Sequence, residues 1–180
     1  IKHFADQEIT TSGKYLAIGT AGKGGNIDVT ANTLRFLSNT IDASGTMGGG
    51  RIRLGGEYQG GKNLATDEIK NAKFLYMTDA ATITAKATGN HGDGGRIIAW
   101  ADQKAMVLGQ FDVTPGTQSG AGGFVEVSSG DILTFGGHVK TGFDERTGTL
   151  LLDPKNITIA DNEVFDATSY MIGVGYSDTN

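Results

Sequence analysis

Five carboxylates are the side chains best placed to do chemistry in this sequence: Asp28, Asp42, Asp102, Asp112 and Glu126. Cleavage of a glycosidic bond needs two carboxyl groups converging on one face, often with Arg or Lys beside them. Asp42 and Asp112 meet the first condition on paper. Each follows an apolar residue, Ile41 or Phe111, that stands sixteen positions after the second glycine of a Gly pair, at Gly25 and Gly95. The equivalent position after Gly123 and Val139 is Lys140, so the expectation is a row of outward charges that discourages wrong edge pairing, not an active site.

Metal chemistry has weaker support. GGKGGNID and HGDGGRI faintly resemble calcium-binding nonapeptide turns, but the motif is not tandem, and glycine corners explain it equally well. His3, His91 and His138 lack ligand spacing. With no cysteine in the chain, disulfides, thiolate sites and a Cys nucleophile are excluded together. No cofactor and no enzymatic activity are expected.

The elements that must carry these residues are short strands. Gly24 to Leu54 holds one whole unit, in which Ile27 and Val29, then Leu34 and Phe36, then Ile41 and Ala43 alternate as half-buried strands do. Gly pairs recur at Gly24, Gly49, Gly94 and Gly122, and a looser unit opens at Gly148 with Leu150 and Leu152. A period in the twenties with strands too short to bury themselves singly requires a stacked solenoid. The longest step, from Gly49 to Gly94, holds one coil plus an insertion over 55–72. Within the repeat Ile97, Ala99, Val125, Val127, Ile132, Phe135 and Val139 should face the core, with Phe135 one step out of register.

Composition agrees: 29 Gly and only 2 Pro among 180 residues indicate repeated tight corners in an all-β chain. The fold expected is one right-handed parallel β-helix over residues 1–180, of six or seven coils and about 30 Å long. Residues 1–23 read as an irregular first coil, and 161–180 as a tail outside the repeat. Alternation places Ile98 and Trp100 outward on the strand that stacks against RIRL, where the insertion leaves the scaffold. The loop over 55–72 is therefore expected to fold over Trp100; contact with a partner or sugar through Trp100, Ile98 and Tyr58 is the alternative.

A net charge of −5 with scattered basic residues gives no footprint for nucleic acid. No apolar run is long enough to span a bilayer, and neither a signal peptide nor an initiating Met precedes Ile1, so the chain reads as a processed, soluble piece. Asn156, Ile157 and Thr158 form a glycosylation sequon of low specificity.

The blocks GGEYQGG, NAKFLYMTDAATITAKA, GDGGRIIAWAD, GAGGFVEVSSGDILTFGGHVKTG and GTLLLDPKNITI, in this order, resemble the shaft segment of filamentous-haemagglutinin-like exoproteins of Gram-negative bacteria. That resemblance implies a right-handed parallel β-helix, export by two-partner secretion through an outer-membrane partner, and work as an adhesin or biofilm component. It implies a secreted or cell-surface location and a host-cell or matrix receptor that it does not name. The matched blocks are scaffold motifs, so they carry over no catalytic or receptor-contact residue. The family's secretion domain is not found here. A carbohydrate-binding or polysaccharide-cleaving β-helix is the alternative. Self-association into fibres through the solenoid ends, with the tail over 161–180, which includes the alternating stretch Met171 to Tyr176, as cap or exchanged strand, is a further expectation.

Overall fold

The computed structural model describes residues 1–61, 69–159 and 169–171. Its strands wind as a right-handed parallel β-solenoid. Each full coil contributes one strand to each of three sheets. The coils are β1 (Lys2–Phe4), β2 (Glu8–Thr11) and β3 (Lys14–Leu16); β4 (Asn26–Thr30), β5 (Thr33–Phe36) and β6 (Thr40–Asp42); β7 (Arg51–Leu54), β8 (Phe74–Met77) and β9 (Thr82–Thr84); β10 (Arg96–Ala101), β11 (Lys104–Val107) and β12 (Gln110–Asp112); and β13 (Phe124–Ser129), β14 (Ile132–Phe135) and β15 (His138–Lys140). Strands β16 (Gly148–Leu152) and β17 (Asn156–Ile159) begin another coil, and β18 (Ser169–Met171) adds a parallel rung beside β16. The described coils that carry all three strands thus number five, against the six or seven expected.

Stacking is in register, so each inward position becomes a column through the core. In the first sheet Ile27, Ile52, Ile97, Val125 and Leu150 form one such column. Ile9, Leu34, Leu75, Ala105 and Leu133 form another in the second sheet, and Ile41, Ile83, Phe111 and Val139 line the third. A column of this kind explains why strands of three to six residues are stable. Each buries its apolar side chains against the rungs above and below, and every ladder bond is shared.

Three expectations are corrected. Residues 1–23 form a regular coil, with His3 opposite Val29, Ile9 opposite Leu34 and Tyr15 opposite Ile41. Ile132 does not face the core: it is 43% exposed, while Leu133 and Phe135 are buried, and Phe135 lies in strict register with Val107. The turn at Gly130 and Asp131 sets the phase of β14, and an isolated apolar residue at its start cannot change it.

The Gly pairs have a steric cause. A Cβ on Gly24, Gly49 or Gly94 would lie 1.7, 1.9 or 1.9 Å from the carbonyl oxygen of Ala43, Ala85 or Val113. Backbone meets backbone at this corner, and only glycine fits. The tail stretch after Met171 lies outside the described residues.

Candidate functional site

The outer face of the first sheet carries the most unusual chemistry, because part of it is dry. The chain leaves β7 at Gly55, crosses that face, and returns at Ala72 to begin β8; the crossing segment, described over 55–61 and 69–72, is called the strap here. It turns through left-handed backbone at Gln59 (φ 50°), Gly60 (φ 68°) and Gly61 (φ 73°).

Beneath it lies Trp100, which is 3% exposed. A Cβ on Gly60 would stand 2.5 Å from Cζ2 of the indole, so the strap backbone rests directly on the ring. The indole Nε1–H donates to Oδ1 of Asp102 at 2.8 Å. Asn71 Nδ2 also donates to that oxygen, at 2.9 Å, and to the carbonyl of Gly60 at 3.0 Å. Asp102, one of the five candidate carboxylates, thus ties the strap to the strand it covers. Ile98 is fully buried in the same layer. Of Trp100, Ile98 and Tyr58, only Tyr58 remains half-exposed in this arrangement, its ring edge-on to Phe124 at 5.9 Å between centroids.

Two further candidates are bound into the scaffold. Asp28, Arg53, Ile98 and Glu126 occupy one outward column on successive rungs. Arg53 donates from Nε and Nη2 to the two oxygens of Asp28 at 2.7 and 2.9 Å, and from Nη1 to Glu57 Oε2 at 2.6 Å. Burial pushes both carboxyls up, but for Asp28 the Arg53 hydrogen bonds and charge outweigh it, leaving it below the ordinary 3.8. For Glu57 the Tyr58 N–H and then Arg53 do the same. Arg53 is held still more firmly protonated, chiefly by Asp28.

Glu126 differs, since among the described residues it makes no ion pair and Arg96 acts on it only from a distance. Its carboxylate accepts the Gln59 N–H, at 3.0 Å to Oε1, beneath the strap. Burial, the largest influence, pushes it up to about 7 against the pull of Gln59 and the Ser128 hydroxyl.

Asp42 and Asp112 share an outer column, as expected, with Thr84 on the rung between them. Each nevertheless serves its own corner. Asp42 Oδ1 accepts the Ser44 N–H at 2.8 Å, and Asp112 Oδ1 accepts from the Thr114 N–H and hydroxyl at 3.0 and 2.8 Å, while Lys86 approaches its other oxygen at 3.3 Å. Two rungs of about 4.8 Å separate them, which is too far for a retaining pair, and a turn-capping role accounts for both. The five carboxylates therefore do not converge.

No family model matches the chain, and no match was found among curated proteins or solved structures. The parallel β-solenoid stands on the geometry alone.

His3 and His91 make separate local contacts, to the Tyr15 hydroxyl at 2.7 Å and the Ser119 hydroxyl at 2.8 Å. Among the described residues no group of three or more His, Asp or Glu side chains could hold a metal ion. What sequence reading missed was Arg53. Its partner stands twenty-five residues earlier, at the same place in the previous coil, so the repeat itself carried the signal.

Proposed function

We propose that the chain is a structural rod segment of a secreted or cell-surface exoprotein, of the filamentous-haemagglutinin-like kind that its sequence blocks resemble. One observation carries the reading: inward apolar columns run in register through the second to fifth coils, with Ile9 joining them from the first, while the polar residues best suited to chemistry are spent on corners and on the strap. Such a stack transmits position along an axis and can be lengthened rung by rung. Within the described residues β1, β2 and β3 are the terminal strands of their sheets, the position at which a further rung would add. Ile1, Phe4, Leu16 and Ile18 stand exposed at or near this end.

In this role the rod holds receptor-binding parts of an adhesin or matrix protein away from the cell, after export through an outer-membrane partner. Antibody raised against the 180-residue chain should stain intact source cells or their culture medium without permeabilisation. Signal that appears only after lysis would overturn the reading.

A further inference from the structure

An open, shallow groove of about 550 Å³ runs along the Gly-pair corner and the first outward column of the first sheet, parallel to the solenoid axis. Its floor is glycine backbone, from Gly24 to Gly123. On its walls, three successive coils each bring one cation: Lys23, then Arg51, then Arg96, with Phe124 on the next rung. The chain has 20 acidic residues against 15 basic ones, yet no carboxylate lines this groove.

The cations are not held in direct ion pairs, although Arg51 attracts Asp28 and Glu57, and Arg96 attracts Glu126, from farther off. Among the described residues, none of the three pairs with a carboxylate at ion-pair distance. Arg51 and Arg96 are direct ladder partners, and like charges facing each other across two strands repel. Nε of Arg51 is buried without a hydrogen-bond partner. The Arg96 guanidinium lies 4.5 Å from the centroid of Phe124 and 4.9 Å from that of Tyr58, which restrains it at the wall of the groove. An anion reaching this row would relieve the repulsion and meet planar donors suited to carboxylate.

We propose that this groove binds a linear acidic polysaccharide, one carboxylate-bearing sugar per rung. Spacing favours a glycan over a peptide. Rungs recur every ~4.8 Å, whereas same-side residues of an extended peptide recur every ~6.7 Å and fall out of step with the cations. A 1,4-linked uronate chain carries one carboxylate per sugar and turns about its glycosidic bonds, so its carboxylates can follow the cation row. The Phe124 face not covered by Arg96 offers an apolar contact for the C–H side of a sugar. The inference is independent of the rod reading, since a rod need bind no glycan in this groove.

The test uses the intact chain with polygalacturonate as probe. Binding should be measurable at low salt and weaken as salt rises, and the doubly substituted Lys23→Gln/Arg51→Gln chain should bind weaker by about tenfold or more. The Trp100 emission and circular dichroism of that variant report whether it is folded; Lys23→Gln alone, at a position outside the strands, supplies a second, milder variant that should still weaken binding. Absence of binding by the unsubstituted chain would overturn the proposal, as would undiminished binding by the folded variants or equal binding of the fully methyl-esterified, neutral polymer. Polyglutamate bound as tightly as polygalacturonate would overturn the assignment to a glycan.

Discussion

Arg53 and Asp28 face each other on adjacent rungs, and the guanidinium grips both carboxylate oxygens, with Nε 2.7 Å from Oδ1 and Nη2 2.9 Å from Oδ2. Both side chains are buried, so neither charge can fall back on water. Asp28→Ala should therefore destabilise the chain by about 1.5–3 kcal/mol, because Arg53 loses two charge-assisted hydrogen bonds and keeps Glu57 as its carboxylate partner. Denaturant unfolding measures it. A companion replacement that removes the whole buried charged set, Asp28→Ala with Arg53→Leu and Glu57→Leu, should recover much of the loss.

The strap makes Trp100 a reporter. Its emission should be blue-shifted in the intact chain, and replacing 57–70 by a short glycine-serine linker should move the emission to the red while the far-ultraviolet circular dichroism keeps its β signature. Burying an indole of roughly 200 Å² contributes a few kcal/mol, so the shortened chain should also melt earlier.

Glu126 sets the expected pH dependence. Its folded value near 7 lies above the ordinary 4.5, so the folded state binds the proton more tightly than the unfolded chain does. The stabilisation is full below about pH 4.5 and lost as pH rises through 7, up to about 3 kcal/mol. Asp28 and Glu57 act in the opposite sense at lower pH, since their carboxyls are held below ordinary values. Unfolding midpoints measured between pH 5.5 and 8 should fall with rising pH, and Glu126→Gln should flatten that slope.

Glycine substitutions should separate the corner from the loop beside it. Gly94→Ala would place a Cβ 1.9 Å from the Val113 oxygen and should unfold or strongly destabilise the stack. Gly22→Ala meets nothing within 4 Å and should be neutral or slightly stabilising. Thermal melts of the two variants make the comparison.

The repeat made most of the scaffold readable, because a register of alternating apolar residues and paired glycines is a property of every coil. Ile41, Phe111 and Val139 share one core column as their common offset from the Gly pair required. Where the marker was missing, the reading faltered: no Gly pair precedes β1, so the regular first coil looked irregular. Ile132 misled for a different reason, its apolar type outweighing a phase that Leu133 and Phe135 define. At the outer face, spacing placed Trp100 under the strap, but the Asp28 and Arg53 pair depended on burial that the strap creates. The cation row in the groove joins residues on different coils, and only the stacked register brings Arg51 and Arg96 side by side.

Electron microscopy of the purified chain over rising concentration tests lengthening through the solenoid ends most directly. If rungs add at the terminal strands, filaments one solenoid wide should form and lengthen with concentration, with an axial repeat of about 4.8 Å. Particles of single-chain size at every concentration would contradict that self-association.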